Sequence, residues 1–346
     1  MRASLSVSDP IQKSPHDTLF RHAFGQLENA AGLLQALLPA ELVGALDWSS
    51  LQLLESSSVD SELRPLEKDL VFSARLQEHD VLFYLLVEHQ SSPHPLMVWR
   101  LWRYVTRACE RWRKDHPHAR RLPWAIPLVV YHGERRWTAP RSIRGILDTP
   151  PAVGPELDAL LPQFTYVLDD LTQLEPEELR ARAMPGFAAL ALWALRSAPK
   201  RTFAETAGVF RDVFDAVSAS ENGAEALGAI FKYLSIVTRD DERHVVDAVL
   251  EELSEPVREQ AMSYYDHLIQ QGETKGRAEG RAEGRAEGRA EGEATGRAAV
   301  LSKLLQLKFG SLPEESQARI RDASVEDVDR WVERVLTAES LDDVWG

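Results

Sequence analysis

The sequence has little cysteine and no long apolar run. Its 346 residues include one cysteine, Cys109, which excludes internal disulfides and every zinc site that needs several cysteines. No stretch reaches the ~18 consecutive apolar residues of a membrane-spanning helix, and residues 1–12 lack the apolar core of a secretory signal. We therefore expect a protein of the reducing cytoplasm with no membrane part.

Two common catalytic signatures are also missing. The ten histidines include no His-Glu-x-x-His helix, which argues against a zinc protease. No Gly-x-x-x-x-Gly-Lys-Ser/Thr phosphate loop occurs, which argues against chemistry driven by ATP hydrolysis.

Positive charge is concentrated in one window of an acidic chain. The formal net charge is −14, yet residues 96–145 carry twelve Arg and Lys against three acids, with five of the nine tryptophans. Because contact with a phosphate backbone depends on the local potential, this window favours nucleic-acid binding. A core helix with a solvated arginine face explains the window equally well.

Hydrophobic periodicity predicts a mixed α/β front and an all-α back. The front begins with an amphipathic helix from Ser14 to Leu38 and contains a β-hairpin and an arginine-striped helix; two more strands follow. The predicted hairpin strands span 66–76 and 81–90, the striped helix 97–114, the later strands 126–131 and 164–168, and the helical back 177–269.

A Gly-Arg-Ala-Glu repeat follows the helical back. Glycine recurs every fourth residue from Gly276 to Gly296, and each glycine disfavours a helix interior by about 1 kcal/mol relative to alanine. We expect a solvated tether over 271–297; the alternative is a helix that a partner helix holds, with the glycines allowing close approach. Residues 298–346 are predicted to form a helical module for packing or self-association.

Two acids occupy strand positions where apolar residues are expected. Asp69 lies within Lys-Asp-Leu-Val-Phe, and Glu88 directly follows the apolar residues 82–87. A buried carboxylate must be paired, hydrogen-bonded or bound to a metal. Two carboxylates on adjacent strands suit Mg²⁺, which completes its coordination with waters and a substrate phosphate. The alternative is a pair of strand-end acids in salt bridges with neighbouring arginines.

Several short motifs together resemble a known family. They are Pro15-His16-Asp17, the Asp69-Leu70-Val71-Phe72 run, the Glu88-His89-Gln90-Ser91-Ser92 block and the Arg100-Leu101 and Arg103-Tyr104 pairs that follow. These residues resemble the recombination-promoting nuclease (Rpn) family, also described as YhgA-like transposases, of the PD-(D/E)XK nuclease superfamily. The resemblance covers about half of the chain, from Ser14 to Asp170.

The resemblance implies a fold, an activity and a site. The expected fold is an α/β PD-(D/E)XK-like core, a mixed central sheet flanked by helices, over 14–175, followed by a helical extension over 176–270. The expected activity is DNA endonuclease cleavage with Mg²⁺, or alternatively Mn²⁺, in recombination or mobile-element movement. Asp69 and Glu88 would be the catalytic metal ligands, and Gln90 would occupy the motif's lysine position without supplying a charge.

Other residues complete the set of expectations. Arg100, Arg103 and Arg107 are predicted to contact the DNA backbone, because their spacing of three and four residues places them along one helix stripe. Lesser candidates, each with a structural explanation, are Asp60, Asp169 and Asp170, Glu28, and His16 with Asp17 at a helix start. A second hypothesis is a weakly active or inactive nucleic-acid-binding protein that forms homo-oligomers through its C-terminal region.

Overall fold

A computed structural model describes residues 14–54, 70–88, 93–148, 160–238 and 243–346. The chain forms two compact units, Met1–Tyr265 and Asp266–Gly346. Within these described ranges, no helix has the length and apolar character needed to span a bilayer.

A five-stranded mixed sheet is the centre of the first unit. Its strands lie in the order β1-β2-β3-β4-β5, with β1, β2 and β3 antiparallel and β3, β4 and β5 parallel. Their bounds are β1 Leu46–Leu54, β2 Leu70–Leu76, β3 His79–Glu88, β4 Trp124–Tyr131 and β5 Val167–Asp170. The mixed α/β class and the hairpin predicted from the sequence are thereby confirmed.

Helix α4, Met97–Asp115, connects the parallel strands β3 and β4 and covers one face of the sheet. Its apolar stripe packs with alternate strand residues, because successive strand side chains point to opposite faces. The buried members on this face, which we call the α4 face, are Tyr84, Leu86, Met97, Val98, Leu101, Val105, Cys109, Val129, Tyr131, Ile143 and Tyr166.

The opposite face of the sheet packs against helices from both ends of the first unit. Phe83, Leu85 and Val130 on this face belong to one hydrophobic core with residues of the helical back, including the fully buried Trp193. The helices are α1 Pro15–Phe24, α2 Leu27–Leu37, α3 Ala40–Ala45, α5 Pro176–Arg180, α6 Gly186–Lys200, α7 Phe203–Ala207, α8 Arg211–Ser218, α9 Gly223–Val237 and α10 Arg243–Glu251. The proposed division at residue 175 therefore falls within one continuous core.

The first predicted helix is two helices. Helix α1 ends before Gly25 and α2 starts after Gln26. The side chain of the buried Asn29 donates to the carbonyl oxygen of Ala23 (2.9 Å) and to Gln26 Oε1 (3.0 Å). These bonds satisfy acceptors at the break between α1 and α2. The apolar residues keep a helical spacing across the break because both helices contribute to the same core.

The second unit contains the repeat. Helix α11, Glu255–Phe309, includes residues 271–297, so the repeat is helical, whereas the expected tether was not; its described glycines, such as Gly284 and Gly288, are exposed. The alanine, arginine and glutamate between the glycines are strong helix formers, which offsets the glycine penalty. Leu301 and Leu305 of α11 pack in a small core with three further helices, namely α12 Glu314–Arg321, α13 Val325–Val335 and α14 Leu341–Trp345.

The glycines of the repeat allow a test of how stable this helix segment is. Within the described residues, a Cβ built on Gly284 or Gly288 meets no atom within 4 Å. The double change to alanine is expected to stabilise this helix segment by about 1 kcal/mol per site, because alanine loses less backbone entropy than glycine. Hydrogen exchange of the amides in 277–296 should slow in the full chain. Unchanged or faster exchange would contradict the prediction.

Candidate functional site

Glu88 is a buried acid at the carboxyl end of β3. Its relative exposure is 4%, and its Oε2 lies 3.2 Å from Nη1 of Arg100 on α4. Glu88 lies on the α4 face because it is two and four residues along the strand from the buried Leu86 and Tyr84, and every second side chain of a strand points to the same face. The predicted strand-end acid is thus confirmed as buried, and the arginine partner that the alternative interpretation expects is present as well.

The neighbouring strand β4 ends beside Glu88. Tyr131 is the direct cross-strand partner of Glu88 and is fully buried, and the backbone N–H of His132 donates to the Glu88 carbonyl oxygen (3.1 Å). Burial raises the pKa of the Tyr131 phenol, and the Asp170 and Glu88 carboxylates add to this effect. The phenol is therefore held in its protonated, hydrogen-donating form.

Strand β5 adds two acids that face opposite sides of the sheet. Asp170 pairs with Tyr131 in register; its carboxylate accepts from the backbone N–H groups of Trp137 (2.9 Å) and Thr172 (3.1 Å). Asp169, 3% exposed, forms two 2.7 Å bonds with Arg182 on the other side. Asp170 thus lies on the same face of the sheet as Tyr131 and Glu88 and also caps the next turn, whereas Asp169 is ion-paired on the opposite face.

Helix α1 brings a histidine to the same edge of the sheet. The rings of His16 and the buried His132 lie 4.9 Å apart, and His16 Nδ1 lies 2.8 Å from the Tyr233 hydroxyl of α9. Asp17, next along α1, is only 5% exposed. His16 and Asp17 lie in the first turn of α1, as their helix-start explanation expects, and the burial of Asp17 is a reason to keep it among the candidates. Glu28 is exposed on α2, in agreement with its structural explanation.

The other predicted site residues, Asp69, Gln90 and Asp60, lie outside the described residues. Asp69 directly precedes β2, whose first residue, Leu70, pairs with Leu85 of β3. Among the residues that the structure does describe, no group of three histidine, cysteine or acidic side chains is placed to hold a metal ion.

The outer surface of α4 carries the predicted arginine stripe. Arg103 and Arg111 are exposed, while Arg107 and Arg100 are half-buried. Trp99, in the first turn of α4, is 46% exposed and packs edge-on against Trp102. The first two turns of α4 therefore place cations and an exposed aromatic ring close in sequence to the Arg100–Glu88 ion pair.

Tyr131 and His132, which lie beside Glu88 at this edge of the sheet, are not among the candidates predicted from the sequence. The available signal was their position: Tyr131 ends a continuous apolar strand, and His132 follows it directly before a Gly-Glu-Arg-Arg loop. In an open α/β sheet, ligands bind at the carboxyl ends of parallel strands. The residue that ends β4 is therefore a candidate as soon as β3 and β4 are known to be parallel.

Comparisons with known proteins place the chain in context. Residues 14–225 match the family described as "Putative transposase, YhgA-like". The chain is 36% identical over 122 residues to Recombination-promoting nuclease RpnD of Escherichia coli O157:H7, covering 35% of this chain and 46% of that protein. It is 33% identical over 129 residues to Recombination-promoting nuclease RpnA of E. coli K12, covering 37% of this chain and 43% of RpnA.

One relative carries a different description. Inactive recombination-promoting nuclease-like protein RpnE of E. coli K12 is 30% identical over 173 residues, which is 50% of this chain and 56% of that protein. The chain spans about half the length of these relatives. No solved structure matches the chain.

Proposed function

Because this chain belongs to the YhgA-like transposase family, we propose that it is a metal-dependent nuclease that hydrolyses DNA phosphodiester bonds in recombination or mobile-element movement. The observation that carries the proposal is the buried Glu88 carboxylate at the carboxyl end of β3, beside an arginine-striped helix. Two relatives named as recombination-promoting nucleases support it. We further propose that the sheet and its helices form a PD-(D/E)XK-like core.

The donor chemistry fits a hard divalent cation. Mg²⁺ is commonly bound by one or two carboxylates together with waters and substrate phosphates, so Glu88 and Asp69 would suffice without a third protein ligand. Such an ion, or Mn²⁺ in its place, would polarise the scissile phosphate and lower the pKa of a bound water. Gln90 is neutral, so the negative charge that develops on the phosphate would be stabilised by other groups.

The chain's own residues would bind and orient the DNA. Arg100 Nη1 donates to Glu88 Oε2, and the fork of a guanidinium can bond to more than one acceptor, so Arg100 would contact a phosphate beside Glu88. Arg103 and Arg107 would extend this contact along α4. Because phosphate contacts carry no sequence information, these residues would position DNA of any sequence.

The direct test of the proposal is cleavage of supercoiled plasmid DNA by the full chain. Nicked or linear DNA should form with Mg²⁺ or Mn²⁺ present and should not form with excess EDTA. Cleavage of RNA but not DNA would correct the substrate class, and absence of cleavage in every metal tested would contradict the proposed activity.

The arginine stripe gives a second test, made in EDTA so that binding is separated from cleavage. Arg103→Ala should weaken the affinity for duplexes of different sequence by the same factor. The slope of log K against log salt concentration should become shallower by about 1, because one phosphate contact is lost. The matched control is Lys232→Ala, which removes one exposed cation from α9 on the opposite side of the sheet. A sequence-selective effect, or an equal effect of the control, would contradict the role of Arg103.

A second candidate function is a DNA-binding or oligomerising protein that does not cut DNA. The ion pair between Glu88 and Arg100 favours it, because a carboxylate held by arginine is satisfied without a metal. A relative that is described as inactive is consistent with it. Calorimetric titration with Mn²⁺ in the absence of DNA separates the two candidates: binding that Glu88→Gln removes supports the nuclease, and no binding supports the second candidate.

A further inference from the structure

The Tyr131 side chain combines complete burial with a hydroxyl that makes no hydrogen bond among the described residues. Tyr166 provides the comparison within the same hydrophobic cluster: it is 3% exposed, and its hydroxyl donates to the Pro140 carbonyl oxygen (3.2 Å). Buried polar groups are nearly always satisfied, because an unmade hydrogen bond destabilises the folded state. The Tyr131 hydroxyl therefore calls for an explanation other than stability.

Tyr131 lies at the centre of a row of side chains on the α4 face. The register places it between Glu88 on β3 and Asp170 on β5, so all three side chains share one face at the carboxyl ends of the parallel strands. This edge is where ligands bind in open α/β sheets. The phenol is thus positioned at the candidate site and not in a remote part of the core.

The neighbours of Tyr131 are engaged elsewhere. The Asp170 carboxylate accepts from Trp137 and Thr172, and Glu88 Oε2 lies against Arg100. The Trp137 ring meets the Tyr131 ring edge-on at 4.9 Å, which fixes the direction of the phenol. A donor held in place without an acceptor is arranged for an acceptor that arrives with a ligand.

We propose that the Tyr131 hydroxyl donates a hydrogen bond to a non-bridging oxygen of the phosphate that is cleaved beside Glu88. The inference rests on the proposed nuclease function and adds a phosphate-binding residue to it. Negative charge on those oxygens is stabilised during displacement by donors that are oriented in advance. A phenol suits the position between Glu88 and Asp170, because it can donate a hydrogen bond while it carries no charge of its own.

The test compares Tyr131→Phe with Tyr166→Phe in the full chain. Tyr131→Phe should lower kcat for cleavage of a short labelled duplex by about 10- to 100-fold with KM changed less than about twofold. Its Tm should stay the same or rise, because the unsatisfied hydroxyl is gone. Tyr166→Phe should do the reverse: it removes a hydrogen bond that is made, so Tm should fall while kcat is retained.

Glu88→Gln, measured in parallel, separates failure of the inference from failure of the proposed function. An inactive Glu88→Gln together with a fully active Tyr131→Phe would overturn the inference alone. Full activity of Glu88→Gln, or no cleavage by the wild-type chain, would overturn the proposed site and the inference with it. A Tm loss for Tyr131→Phe equal to that of Tyr166→Phe would show a structural hydroxyl and would also overturn the inference.

Discussion

Glu88→Gln is expected to lower the rate of DNA cleavage by about 1,000-fold while DNA affinity in EDTA stays within about threefold. A metal ion contributes several kcal/mol of charge stabilisation to phosphoryl transfer, and ~4 kcal/mol corresponds to this factor. Glutamine keeps the shape of the side chain and an oxygen that can accept from Arg100, so the fold should be unaffected. The measurement is single-turnover cleavage with Mg²⁺ in excess.

Glu134→Gln is the matched control for this substitution. Glu134 is an exposed acid in the loop just after β4, so the change removes the same charge near the site and leaves Glu88, Tyr131 and Asp170 in place. We expect cleavage within about twofold of wild type, since screening by solvent weakens exposed charges. Equal rates for Glu88→Gln and wild type would refute the assignment of Glu88.

The largest expected loss of stability follows Asp169→Ala. Asp169 and Arg182 are 3% and 16% exposed and share two 2.7 Å hydrogen bonds, so the substitution leaves a largely covered guanidinium without its counter-charge. Removing one partner of a buried pair destabilises a protein by about 3–5 kcal/mol. Urea unfolding followed by tryptophan fluorescence should show the loss as a lower midpoint, and the slope of the transition should be unchanged.

Asp212→Ala is the control, because it breaks a pair of the same residue types on the surface. Arg180 and Asp212 are 42% and 60% exposed, and the guanidinium of Arg180 lowers the pKa of the Asp212 carboxyl. Exposed pairs contribute little to stability, since solvent screens them. A loss for Asp169→Ala no greater than for Asp212→Ala would contradict the description of Asp169–Arg182 as a buried structural pair.

Local patterns predicted β2, β3, β4 and α4, while the predicted strand 164–168 overlaps β5 at only two residues. Strand β4 was recognisable as a short apolar run and the β2–β3 hairpin as two such runs around polar residues; α4 was recognisable from its arginine spacing. Each of these signals depends only on neighbours in the sequence. The burial of Cys109 on the inner side of α4 follows from the same periodicity.

The row of side chains around Tyr131 could not be predicted in this way. Its members, Glu88, Tyr131 and Asp170, are separated by about forty residues each, and their alignment depends on the register of parallel strands. That register is set by how α4 and the following loop pack, which no local pattern records. A strand-ending tyrosine therefore reads as an ordinary core residue until its cross-strand partners are known.

The repeat and Asp17 show two other ways in which local rules fall short. Glycine every fourth residue favoured a tether, yet α11 continues through it, because helix formation is cooperative and strong helix formers surround each glycine. Asp17 lies in the first turn of α1, where an exposed acid is common, but the core that packs around α1 buries it. Helix cooperativity decided the repeat, and tertiary packing decided the burial of Asp17.

The central claim is that Glu88 is a ligand of a divalent cation. The most direct measurement is the anomalous scattering of a crystal soaked in MnCl₂ and collected near the manganese edge. We expect a peak within about 2.5 Å of a Glu88 carboxylate oxygen, with Asp69 as a second ligand and the bond from Arg100 to Glu88 lengthened or lost. A crystal in which Glu88 keeps Arg100 as its partner and no manganese lies beside its carboxylate would contradict the claim.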